Sequence, residues 1–161
     1  MKTKFFYILI FIFINTLNAK SEFFFLPKDA NNAEEKIISL IKNAEEKIDI
    51  AMYNLSYKKF IKELKKASKK GIDVKIYLDK NKVKKSNIIN KEFKNSSIKY
   101  KILSEKNHLK LALFDDKIAI FGSSNWTKSS FKDNFELLYL TTKKSDIKEL
   151  KSLFRSLEKD Y

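Results

Sequence analysis

Residues 108–125 read His-Leu-Lys-Leu-Ala-Leu-Phe-Asp-Asp-Lys-Ile-Ala-Ile-Phe-Gly-Ser-Ser-Asn. Lys110–Phe114 and Ile118–Phe121 are short runs of strand-forming residues, and Asp115-Asp116-Lys117 between them is turn chemistry, so the segment predicts a β-hairpin. Side chains alternate across a strand; His108 and Lys110, two positions apart, therefore face the same way and reach one pocket. His108 is the only histidine in the chain. A single histidine carries little weight alone. Its weight comes from neighbours at fixed spacing: Lys110, Asp115, Gly122, Ser123 and Asn125, six specified residues in register.

Outward from the hairpin, the chain alternates strand and helix signals. Upstream, Phe23–Leu26, Ile48–Tyr53 and Val74–Leu78 read as strands. Asn31 with Glu34 resembles a capping arrangement opening a helix that buries Ile37, Ile41 and Ala44. Ser56 is a candidate cap for the next helix, which buries Phe60, Leu64 and Ala67 and ends at Gly71 in a left-handed C-terminal cap. Residues 80–97 are polar and predict a surface excursion with one short helix. Ile98–Ile102 and Phe135–Tyr139 are further strands, and a closing helix places Ile147, Leu150, Phe154 and Leu157 on one face. The sum is an α/β fold, a mixed central β-sheet flanked by helices.

With 161 residues, 43% of them apolar and only one proline, the chain suits a single domain with a substantial core. It has no cysteine, which excludes a disulfide framework and a thiolate metal site. Lys2 and Lys4 precede the apolar run Phe5–Ile14, the layout of a secretory signal peptide. That run is shorter than the roughly 20 residues a membrane span needs. Residues 1–19 are expected to be a leader with Ala19 as the last residue removed; retention as a membrane anchor is the alternative, because Leu17 is large for a position near the cleavage point. The expected location is export, either periplasmic or anchored to the inner membrane facing the periplasm. Loss of Lys2 and Lys4 leaves 32 basic against 20 acidic residues, net +12. Such a domain attracts polyanions. Lys, Asn, Ile and Phe are all abundant, as an AT-rich genome produces, so charge alone does not name the partner.

Residue chemistry narrows the function. A neutral imidazole is a competent nucleophile near neutral pH, and a second, protonated imidazole can donate to a departing alkoxide. One chain supplies one imidazole; two-fold association supplies both from the same residue. Residues 58–85 hold twelve lysines, suited to phosphate contacts without sequence specificity, although Lys62, Lys65 and Lys69 equally suit a solvated helix face. Tyr53, Tyr57 and Phe131 are candidates for stacking on unpaired bases. Trp126 is read as core in preference to base stacking.

His108, Lys110 and Asp115 match the HKD signature of the phospholipase D superfamily, which the chain resembles. The resemblance extends to Ile50-Ala51-Met52-Tyr53, Gly71-Ile72-Asp73-Val74 and Leu78-Asp79 upstream, and to Asn125-Trp126-Thr127 and Asn134-x-Glu136 downstream. Asn107 replaces a methionine common before the histidine, and Leu111 replaces a common aromatic residue. Within the superfamily the chain looks most like small bacterial endonucleases with one signature per chain. The resemblance implies a phospholipase D-like domain over 20–161, with its active site at a homodimer interface. It also implies a nonspecific, metal-independent endonuclease acting on DNA, with RNA as a further candidate substrate, through a covalent phosphohistidine on His108, with no cofactor. Lys110 and Asn125 would hold the phosphoryl oxygens, Glu136 would orient the histidine, and Ser123 would contact phosphate or Glu136. Asp115 would act in support, more structural than chemical. A phospholipase D or cardiolipin-type phospholipid hydrolase is the alternative, and the N-terminal segment would supply membrane association.

Overall fold

Each strand candidate among the described residues becomes a strand. In the computed structural model, which describes residues 19–159, these are β1 (Ser21–Leu26), β2 (Lys47–Met52), β3 (Asp73–Asp79), β4 (Lys99–Leu103), β5 (Lys110–Phe114), β6 (Ile118–Gly122) and β7 (Glu136–Thr141). The leader reading lies outside the described residues up to residue 18. One seven-stranded sheet forms, in the order β1-β7-β6-β5-β2-β3-β4. β2, β3 and β4 pair in parallel, and the other pairings are antiparallel. The sheet is thus mixed, as expected.

Helices α1 (Ala30–Asn43) and α2 (Lys58–Lys69) cover one face, where Ile37, Ile41, Phe60 and Leu64 meet Ile48, Ile50, Met52, Val74 and Ile76. Helix α5 (Lys144–Lys159) lays Ile147, Phe154 and Leu157 on the other face, against Tyr77, Leu111 and Leu113. Fully burying each such side chain contributes about 1.5–3 kcal/mol. Residues 80–97 form a short α3 (Lys80–Ser86) and one π-helical turn (Ile89–Phe93). A short α4 (Lys128–Lys132) precedes β7. Gly71 has φ +94°, the left-handed cap expected of it.

Three local expectations fail for tertiary reasons. Asn31 and Glu34 lie inside α1 instead of capping it. Glu34 is buried and receives the Tyr57 hydroxyl, Lys59 at 2.7 Å and Lys132 at 2.9 Å, tying α1 to α2 and α4. Ser56 does not cap α2, because the backbone N–H groups of Ser56 and Tyr57 both donate to the Trp126 carbonyl at 2.9 Å. Tyr57 and Phe131 are not available to bases: with Phe60 and Trp126 they form a buried aromatic cluster. Trp126 is core, as read.

The β5–β6 hairpin closes on a two-residue turn in which Asp115 and Asp116 take φ of +50° and +53° and Lys117 donates to the Phe114 carbonyl at 2.9 Å. At the opposite end of β6, a Cβ on Gly122 would stand 2.0 Å from the Leu137 carbonyl oxygen, so only glycine lets β6 and β7 approach there. α5 meets the end of β7, where the Thr141 hydroxyl donates to Asp146 at 3.1 Å, and leaves Phe23, Phe25 and Leu137 exposed on that face of the sheet. Phe23 packs at a tilt against Tyr139 (ring centroids 4.7 Å), with Phe121 edge-on to the same ring.

Candidate active site

One end of the sheet gathers the carboxyl ends of β2, β3 and β6 with the first residues of β5 and β7. Met52 pairs with both Lys110 and Leu78, and Gly122 pairs with Leu138. In open α/β sheets, ligands bind at such carboxyl ends. His108, Lys110, Ser123, Asn125 and Glu136 all belong to this end.

His108 is exposed, while Lys110 is only 8% exposed. The Lys110 ammonium donates to the His108 carbonyl at 2.7 Å and lies 3.2 Å from Nδ1 and 3.5 Å from Nε2 of the same imidazole. The shared facing read from the alternation is therefore realised. Tyr53, at the end of β2, packs on the imidazole with ring centroids 4.5 Å apart. Lys82 and Lys110 sit over the Tyr53 ring at 4.6 and 5.3 Å. The positive charge of Lys110, with burial and Lys106 adding to it, holds the His108 pKa below its ordinary value, so the ring is neutral at neutral pH. Burial lowers the Lys110 pKa, and the nearby Glu136 carboxylate partly offsets this.

Ser123 bridges the last strands. Its hydroxyl donates to Glu136, its N–H donates to the Leu137 carbonyl at 3.0 Å, and its oxygen accepts the Leu137 N–H at 3.0 Å. Glu136 also receives Asn134 at 3.5 Å; its hydrogen-bond partners are Ser123 and Asn134, and His108 of the same protomer is not among them. The Asn125 side-chain oxygen is buried with no donor, so the fold leaves this amide's capacity unspent. Asp115 is not brought to the site. It stands at the far end of β5, where its carboxylate accepts the N–H groups of Glu45, Glu46 and Lys47 at 2.8–2.9 Å. These bonds overcome burial and hold its pKa below the ordinary aspartate value. Among the described residues, no group of three or more His, Asp or Glu side chains is placed to hold a metal ion.

Two residues with no assigned role stand directly behind His108. Asn107 is buried: its amide donates to the Tyr77 carbonyl at 2.9 Å and its side-chain oxygen accepts the Leu109 N–H at 3.1 Å. Asp79, at 1% exposure, receives Asn81 and Lys82 N–H on Oδ1 at 3.0 Å and Asn107 N–H on Oδ2 at 3.2 Å. The sequence signal for Asp79 was present, an aspartate between a strand and a lysine-rich helical stretch, which is an N-cap position.

No curated protein sequence matches the chain. Residues 37–158 match the family described as "Cardiolipin synthase, PLD-like domain". Among solved structures, NucT from Helicobacter pylori superposes with a TM-score of 0.82 at 28% identity, over 88% of this chain and 97% of that one. Nuc from Salmonella typhimurium, described as a phospholipase D family member, gives 0.76 at 22% identity, over 86% of this chain and 93% of that one. A polyphosphate kinase from Porphyromonas gingivalis shares the fold at 0.68 and 16% identity, but there this chain spans only 26% of the partner. The family match covers most of the sequence, its histidine and lysine meet at one sheet end, and NucT and Nuc are overlapped almost end to end; the chain belongs to the phospholipase D superfamily.

Proposed function

We propose that the protein is a metal-independent phosphodiesterase that cleaves nucleic acid, DNA first and RNA as the further candidate, at internal positions, with His108 as the nucleophile. The observation that carries this reading is an exposed imidazole kept neutral by a buried lysine 3.2 Å away, in a strongly cationic chain. A His108 ring nitrogen attacks phosphorus, the bond to the leaving oxygen breaks, and a second imidazole protonates that oxygen. Water, giving its proton back to the second imidazole, then resolves the phosphohistidine. Lys110 and Asn125 face the phosphoryl oxygens as charge redistributes, and Ser123 and Glu136 frame the same pocket.

The second imidazole comes from a second copy of the chain. The bare face of Phe23, Phe25 and Leu137 supports this: it is apolar, adjoins the strand that begins with Glu136, and is rimmed by Phe135 at 96% exposure. In a homodimer carrying one proton across the two rings, one is nucleophile and the other acid. Phe25→Glu is expected to give a monomer in sedimentation and to lower cleavage at least about 100-fold, with the melting temperature little changed, since the lost acid role supplies about 10²–10⁴. A dimer with full activity would remove the second copy from the mechanism. The leader reading alone would put the proposed activity outside the inner membrane.

Lys82 of α3 lies over the Tyr53 ring that packs on His108, and α3, which also carries Lys80, Lys84 and Lys85, suits a phosphate backbone. The decisive assay offers plasmid and single-stranded DNA to the protein in EDTA. Cleavage is expected, falling more than about tenfold between 50 and 200 mM salt as counterion release weakens binding. The second reading, a phospholipid headgroup hydrolase, is favoured by the description of the matched family. Turnover of anionic phospholipid vesicles with DNA left intact would put it first.

A further inference from the structure

The loop that carries His108 is held from two neighbouring strands, β2 and β3. Tyr53 N–H, at the end of β2, donates to the Leu109 carbonyl at 2.8 Å. The Asn107 side chain bridges the Tyr77 carbonyl of β3 and the Leu109 N–H, and its own N–H ends on Asp79 at 3.2 Å. Asp79 spends its other oxygen on the first turn of α3, the helix whose Lys82 covers Tyr53. A carboxylate buried to 1% is costly unless its oxygens are satisfied, and here three backbone N–H groups satisfy them. The bonds at residues 107 and 109 thus run through Asp79, Asn107 and Tyr53, while Lys110 holds the His108 carbonyl itself at 2.7 Å. The superfamily resemblance has methionine where Asn107 stands, a side chain able to hold the loop by packing alone; this chain uses directed hydrogen bonds instead.

We propose that Asp79 and Asn107 are positioning residues for His108, a buried clamp that sets where the imidazole stands and joins it to the lysine-bearing helix α3. The inference rests on His108 as the reacting group. Asp79 acts in a second way, through charge. The groups facing His108 are Lys110 from β5, Lys106 from its own loop, Lys82 from α3, Asp79 from the end of β3 and the Tyr53 ring from β2; of these, Asp79 is the one that raises the imidazole's proton affinity. Asn107 carries no charge, so the two residues separate position from electrostatics.

The test uses the full-length protein with bis(p-nitrophenyl) phosphate and a DNA oligonucleotide as substrates. The proton resonance of the single histidine supplies a titration that needs no activity. Asn107→Ala is expected to lower kcat about tenfold or more, with KM within about twofold and the His108 midpoint within about 0.2 pH units of wild type. Asp79→Asn is expected to lower kcat similarly and also to move the midpoint, and the acid limb of the rate profile, at least about 0.3 pH units toward acid. Wild-type kcat in both variants, or an unmoved midpoint in Asp79→Asn, would overturn the clamp. If Asp79→Asn fails to fold, Asn107→Ala, which keeps the α3 cap, decides. If wild type cleaves neither substrate while Asp79→Asn still shifts the titration, the clamp stands and the phosphodiesterase reading falls.

Discussion

Replacing His108 by alanine is expected to lower phosphodiester cleavage by at least about 10⁴-fold and to leave the melting temperature within about 2 °C. The size follows from the step that disappears. Without the imidazole no covalent intermediate forms, and in a dimer the same substitution removes the protonating partner, so both halves of the reaction fail together. The fold is spared because the ring is exposed and its packing is confined to one face of Tyr53. Lys110 keeps its bond to the residue-108 carbonyl, which alanine retains. Cleavage rate and thermal melt, measured on the same preparation, check both halves; appreciable turnover by the variant would mean that another group attacks phosphorus.

Asp115→Ala is expected to do the reverse, lowering stability by about 2–4 kcal/mol, or about 5–15 °C in melting temperature, while the protein that remains folded keeps kcat within about twofold. Three N–H groups of the segment leading into β2 would lose their acceptor, and alanine resists the positive φ that aspartate tolerates in the turn. The sign of the pH dependence follows from the depressed carboxyl. Its contribution is present above the ordinary aspartate pKa of about 3.9 and is lost as pH falls through the lower folded value, so wild type and variant should converge in stability toward strong acid. Wild-type melting with kcat abolished would return Asp115 to the chemistry.

The hairpin of 108–125 was legible because two independent rules agreed: alternation made two strands, and the Asp-Asp-Lys turn closed them. Lys110 and His108 met for the same reason, local geometry two residues apart. What depended on residues far apart in sequence was harder. Glu34 looks like a capping residue until α2 and α4 deliver Lys59, Tyr57 and Lys132 to it. Ser56 looks like a cap, but α2 starts one residue later with Tyr57 at the N-cap position, where the Trp126 carbonyl holds the N–H groups of both Ser56 and Tyr57. Tyr57 and Phe131 carry the composition of a stacking platform and serve as core, since hydrophobicity does not distinguish a ring that waits for a base from one that closes a helix pair. Asn107 registered only as a departure from a pattern, because its partners lie 28 and 30 residues away.

The pairing of β1 with β7 sets a kinetic condition on this protein. Ser21 meets Thr141, so the first of the described strands in chain order waits for the last. Contacts that distant in sequence close large loops and slow the search for the native state. Until they close, β1 presents Phe23, Phe24 and Phe25 on a ribbon with no neighbour, the kind of segment that chaperones hold and that aggregates when they do not. The strand that begins with Glu136 is the one that β1 must find, so completing the sheet and completing the pocket are a single late event. A chain cut short of β7 would accordingly lack both the strand that β1 pairs with and Glu136.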